Sequence, residues 1–211
     1  MKIRSITYFC NPGYPLNERV IRAAGEFAIR ARAVYETAGY EVQSTRLATV
    51  PFPDLIPSKG SLPEYARQLE QMIQQAGIAY ASLGPALPEV PRSYAAIPDA
   101  MVATRNVFFG GVMADKSRGI DPAAVRACAQ VITDAAPLEP NGFANLRFAA
   151  LANVEPGSPF FPAAYHSGNA PAFALATEAA DLAVQAFTST ASLETARSCL
   201  TAAIQSHASA W

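Results

Sequence analysis

His166 is the residue of this chain best placed to do chemistry unaided, because imidazole changes charge near neutral pH and so can move a proton, hold a metal or anchor a polar ligand. It is one of two histidines in 211 residues and lies in the densest run of Pro, Gly and aromatic residues, 157–168. Tyr165, Ser167 and Asn169 set further donors and acceptors within three positions of it. The plainer alternative is a histidine hydrogen-bonded inside a loop. Downstream, Glu178 and Asp181 stand at i and i+3, which brings two carboxylates to one face if the segment is helical. Such a pair could share a proton or hold a divalent cation. His166, Tyr165, Glu178 and Asp181 therefore form the candidate catalytic set. A solvated helix face is the alternative for the carboxylates, and no HExxH, DxD or clustered histidines support a metal.

Other reactive residue types are weaker candidates. Cys10 ends an apolar run at a turn, a sensible place for a nucleophile, but a lone cysteine there also reads as a small buried hydrophobe and would need a nearby His or Lys for activation. Cys128 and Cys199 fall in helical patterns and read as structural. Gly110-Gly111, followed by Asp115-Lys116-Ser117-Arg118-Gly119, places glycine beyond a strand, yet matches neither GxGxxG nor GxxxxGK[ST], so the signal for nucleotide binding is weak. Arg46, Arg105 and Arg147 lie in or beside strands, where an unpaired guanidinium is costly. Each is expected to meet a carboxylate or a bound anion, with internal ion pairs the first expectation.

The elements that must position these residues follow from periodicity and punctuation. Residues 3–10 are rich in β-branched and aromatic types and stop at Asn11-Pro12-Gly13, which predicts a strand and a turn. Asn17 as N-cap, with Val20, Ala24, Phe27, Ala31 and Val34 at helical spacing and Gly39 as stop, predicts a helix. A strand is expected over 41–49. The prolines at 51, 53 and 57 predict a loop over 50–60 that is neither central strand nor helix. Ser61 and Glu64 form a capping-box pattern before a helix ending at Gly77. Strands are expected over 78–83, 106–113 and 146–152, short helical pieces among Pro88, Pro91 and Pro98, and a helix capped by Asp121 with Pro122 at its first position. The strand over 106–113 is apolar on both faces, as when helices cover both sides of a sheet. Pro171 is expected to open a helix with a stripe of Leu175, Ala179, Leu182, Ala186 and Phe187, and Ser192 to cap a last one.

Strands alternating with helices predict an α/β fold, a mostly parallel sheet with covering helices in one domain over 1–211, whose ligands bind beyond the carboxyl ends of the strands. Sixteen Lys and Arg against seventeen Asp and Glu leave a net charge of −1, so nothing points to nucleic acid or an anionic membrane surface. Three scattered cysteines argue against a disulfide framework and fit a reducing cytoplasm. Neither a signal peptide nor an apolar stretch of ~20 residues is found. No cofactor is indicated.

Several stretches together resemble one family: residues 2–8, residues 43–49 with Pro51-Phe52-Pro53, and above all Asn141-Gly142-Phe143-Ala144-Asn145-Leu146-Arg147-Phe148 and Pro159-Phe160-Phe161-Pro162-Ala163-Ala164-Tyr165-His166. They resemble the uncharacterised DUF711 family, also labelled UPF0210, and the likeness continues through Phe173 and residues 178–182. The resemblance implies an architecture like half of the α/β barrel of pyruvate formate-lyase-like glycyl radical enzymes, without radical chemistry, since neither a glycyl-radical motif nor paired active-site cysteines are found. It also implies a longer chain, so that this one is either an N-terminal portion or a shortened relative that pairs with another copy. The leading expectation is an enzyme-like protein binding a small polar or anionic metabolite near His166, contacted by Arg46, Arg147, Asn145 and Asn169. The alternative is a non-catalytic or truncated assembly module that forms homo-oligomers or needs a missing C-terminal half.

Overall fold

A computed structural model describes residues 1–168 and 170–209. Seven strands form one sheet: β1 (Lys2–Cys10), β2 (Thr45–Pro51), β3 (Tyr80–Ala86), β4 (Val107–Asp115), β5 (Gly119–Ile120), β6 (Phe148–Ala152) and β7 (Ala172–Glu178). The helices are α1 (Glu18–Thr37), α2 (Phe52–Leu55), α3 (Leu62–Gln75), α4 (Arg92–Ala95), α5 (Ile97–Ala103), α6 (Pro122–Ala135), α7 (Ala180–Thr188) and α8 (Leu193–Ala208). Two 3-10 segments, Ala136–Leu138 and Pro140–Arg147, lead into β6.

Four long helices begin where a short polar side chain replaces the missing acceptor of the first turn. Asn17 Oδ1 accepts from the Arg19 amide at 3.0 Å, Asp121 Oδ1 from the amides of Ala123 and Ala124 at 2.9 Å, and Ser192 Oγ from Thr195 at 3.2 Å. Ser61 Oγ likewise takes the Glu64 amide at 3.4 Å. Only half of a capping box forms there, because the Glu64 carboxylate turns to Arg67 and Gln68 at 2.8 Å.

Strands β1, β2, β3, β4 and β6 run parallel and lie side by side in chain order, with β7 antiparallel on the outer edge of β1. Right-handed crossovers between successive neighbours all pass over the same face of a sheet. The core reflects this: Ile21, Phe52, Leu69, Ile97 and Val131 from five different helices pack in one cluster with Cys10, Leu47, Leu83 and Phe109 of the strands. Among the described residues these five helices cover one side of the sheet, and the side of the 106–113 strand that carries Phe108 meets a loop instead of the second helical layer its apolar faces predict. Phe109 faces the helices, while Phe108 faces Phe161 of a loop at 5.4 Å between ring centroids.

Three further expectations are corrected. Residues 50–60 are not all loop: β2 runs through Pro51, whose pairing with Gly84 follows a register shift, and Phe52–Leu55 is a helical turn. Pro53 falls in its first turn, where the missing amide hydrogen would have had no acceptor anyway. Residues 172–178 are not helical but form β7, pairing with β1 from Phe9↔Ala172 to Lys2↔Glu178. Phe173 and Leu175 point toward Phe27 and its neighbours on α1, while Ala174 and Ala176 point the other way, a period of two that the alanines disguised. On α1 the buried stripe is Ile21, Ala24, Gly25 and Ala28, and Val34 is exposed.

Gly84 shows how tightly β2 and β3 meet. A Cβ there would lie 2.4 Å from the Val50 carbonyl oxygen, and its amide donates to Thr49 Oγ1 at 3.1 Å. Among the described residues no helix is long and apolar enough to cross a membrane. Gly84→Ala is expected to destabilise the fold by about 1–3 kcal/mol through this overpacking. A urea midpoint equal to wild type would refute the close approach.

Candidate functional site

Period-two alternation sends Ser5, Thr7 and Phe9 of β1, Arg46 and Ala48 of β2, Ser82 of β3 and Ala174 of β7 to the face that carries no helices. A loop over residues 153–168 covers it. Its prolines supply carbonyls without competing amides, and the sheet grips those carbonyls: Thr7 Oγ1 donates to Pro159 O and Ser82 Oγ to Pro162 O, both at 3.3 Å. The His166 amide donates to Thr49 O at 2.9 Å. The loop is also cross-tied within itself, Gly157 N to Tyr165 O at 2.9 Å and Tyr165 Oη to Val154 O at 2.7 Å. Gly157 adopts φ +90°, a left-handed conformation that favours glycine. Phe161 and Ala164 fill the space against Phe9, Ala48 and Ala174.

His166 is 4% exposed and lines a cavity of about 320 Å³ with Phe9, Gly157, Ser167 and Phe173. Its ring centroid lies 6.4 Å from that of Phe9. The cavity sits beside the carboxyl ends of β1 and β2, where parallel α/β sheets hold their ligands. Lys116 Nζ, from the hairpin between β4 and β5, reaches Glu155 at 2.7 Å and so fastens the entry of the loop.

A protein-family model described as uncharacterised ACR (DUF711) matches residues 1–210. The chain belongs to the DUF711 family. Comparison with curated proteins gave no match. In this DUF711 chain the two most distinctive motifs have separate places: residues 159–166 belong to the gripped loop, and residues 141–148 to the 3-10 segment that leads into β6.

The remaining candidates of the DUF711 chain divide accordingly. Tyr165 adjoins His166 but spends its hydroxyl on Val154, so it shapes the loop. Glu178 and Asp181 do not share a helix face. Glu178 ends β7 opposite Lys2, and Asp181 lies exposed in the first turn of α7. That end of β1 is about 23 Å from Phe9 at a strand rise of ~3.3 Å per residue, so the structure does not bring the carboxylates to His166. Glu178 instead pairs with Arg4 at 3.0 Å.

Arg147 is buried and closes the end of α5, donating to Met101 O and Thr104 O at 2.9 Å, with Glu139 at 3.6 Å. A cation on the last carbonyls of a helix is a structural arrangement. Arg105 shares the same Glu139. Asn145 belongs to the same region, its Oδ1 buried without a hydrogen-bond partner among the described residues. Asn169 lies outside the described residues. Arg46 is the exception among the three strand arginines, having no ion-pair partner among the described residues, and it lies on the loop-covered face. Gly110 and Gly111 serve packing: Cβ atoms there would meet Leu151 at 3.2 Å, and Cys128 and Tyr94 at 2.9 Å. Among the described residues no group of three or more His, Cys, Asp or Glu is arranged to hold a metal ion. Sequence reasoning missed Thr7 and Ser82, whose signal is a hydroxyl in an otherwise apolar strand, and Thr49, whose part is played by its main-chain carbonyl and has no side-chain signal.

Cys10 is fully buried, and burial pushes its thiol up to about 12, while Cys128 is pushed up to about 11. Cys199 is exposed. Native protein treated with iodoacetamide at pH 8 is expected to be modified at Cys199 alone, read by peptide mass spectrometry; rapid labelling of Cys10 would restore it as a nucleophile. The folded thiols keep protons that the unfolded chain loses near pH 9, so their contribution to stability is complete below pH 9 and is lost as pH rises toward 12. Cys10→Ala should flatten that alkaline decline in urea melts.

Proposed function

We propose that this protein is a cytoplasmic, enzyme-like binder of a small polar or anionic metabolite, held in the cavity beside His166. The observation that carries the reading is a nearly buried imidazole lining a cavity at the carboxyl edge of a parallel sheet, with its backbone fixed to Thr49. Phe9 and Phe173 give that cavity apolar walls, and Ser167 with the imidazole gives it polar ones. A few polar groups converging in an apolar hollow are the usual composition of a small-molecule site. A ligand placed there would find in His166 an imidazole, a side chain able to act as general acid or base. Tyr165 acts as a positioning residue, because its bond to Val154 sets the path of the chain through His166.

The test is a thermal-shift screen of polar metabolites against wild type and His166→Gln, which keeps a hydrogen-bonding side chain of similar reach. Ligands that raise the melting temperature of wild type are expected to lose most of that effect in the variant. A variant that folds and binds every such ligand as well as wild type would remove the assignment.

A second reading, homo-oligomerisation, is favoured by the α7–α8 hairpin, which buries only Ala186 and Ala196 while Val184, Phe187 and Leu193 stand 62%, 55% and 78% exposed. Apolar side chains presented this way favour association. Light scattering is expected to show dimers or larger species that Phe187→Glu combined with Leu193→Glu converts to monomer. Wild type that stays monomeric as concentration rises would end this reading.

A further inference from the structure

Arg46 is half-buried on the loop-covered face, near the amino ends of the strands, opposite Thr7 in register. Its Nε donates to Ser44 Oγ at 3.0 Å, and its guanidinium carbon lies 5.0 Å from the Phe161 ring and 5.9 Å from the Tyr80 ring. Stacking on aromatic rings holds the planar fork in one orientation. Both Nη nitrogens are without a protein partner among the described residues. Arg46 lines a cavity of about 490 Å³ together with Arg4, Phe160, Ala176, Thr177 and Glu178. Ser5, whose cross-strand partner is Ala176, is wholly buried with Oγ lacking a hydrogen-bond partner among the described residues.

We propose that this cavity is a second binding site, for a small organic carboxylate whose charged group is gripped by Arg46 and whose apolar body lies against Phe160 and Phe161. The charge balance selects the class. Arg4 is already neutralised by Glu178 at 3.0 Å, so two guanidiniums against one carboxylate leave a single positive charge, matched by a monoanion. Glu178 stands at the same cavity and repels a second negative charge. A bidentate carboxylate is the partner whose spacing fits a guanidinium fork. Burial first, and Arg4 to a smaller degree, pushes the Arg46 guanidinium below its ordinary value despite the opposing influence of Tyr80, which is the penalty that an arriving anion relieves. Arg46 precedes Thr49, where the His166 segment docks, by three residues or about 10 Å of strand. The two sites therefore share a face but not their liganding residues.

The experiment titrates the full chain with sodium benzoate, followed by two-dimensional amide NMR, with inorganic phosphate as a comparator at matched ionic strength. Saturable benzoate shifts are expected around Arg46 and Phe161, with binding at least about tenfold weaker in Arg46→Met and unchanged in His166→Gln. Arg46→Lys keeps the charge and stem but loses the fork, and it must also weaken binding, which preserves the test if the Met variant does not fold. Benzoate shifts that never saturate, equal affinity in the folded arginine variants, tighter binding of phosphate than of benzoate, or loss of benzoate binding in His166→Gln would each overturn the proposal.

Discussion

The structure depends on how the sheet face without helices is closed. A parallel sheet wound in chain order places its crossover helices on one side, and the other side must be covered by something whose backbone polar groups are satisfied. Here that cover is the loop of residues 153–168, and the attachments are few: hydroxyls of Thr7 and Ser82 on two proline-flanking carbonyls, and the Thr49 carbonyl on the His166 amide. Each such bond is worth only about 0.5–1.5 kcal/mol net. Their importance lies in direction, because together they set which residues of the loop face the sheet and which line its two cavities.

Charge is distributed along the same face with a clear polarity. Toward the amino ends of the strands stand Arg4, Arg46 and Glu178, while Arg147, Glu139 and Arg105 close the end of α5 on the helix side. Toward the carboxyl ends the His166 cavity is lined, among the described residues, by no Asp, Glu, Lys or Arg. The long aromatic side chains Phe160 and Phe161 lie at the amino end of this strip and His166 at the other, so one loop serves two chemically different environments.

Much of this could be read from residue order. Asn17, Ser61, Asp121 and Ser192 cap the helices expected of them, because a cap is a local event decided within a few residues. The first strand, the mostly parallel sheet and the family were legible for similar reasons. What failed was whatever depends on distant partners. Residues 172–178 are alanine-rich, and only pairing with β1 decides that they are a strand; the supposed face shared by Glu178 and Asp181 vanished with that helix. Arg147 found carbonyls of α5 more than forty positions away, and the pressure behind Gly111 comes from Tyr94 and Cys128. His166 lies in a loop, as its surroundings indicate, but nothing in its own neighbourhood showed that Thr49 would receive it.

Thr7 and Ser82 hold main-chain oxygens, which every amino acid possesses, so docking is indifferent to much of what the loop carries outward. The two hydroxyls that seat the segment make no contact with what side chains such as Phe160 and Ser167 present outward. Seating the segment and facing the two cavities are thereby assigned to different atoms, main chain for the first and side chain for the second.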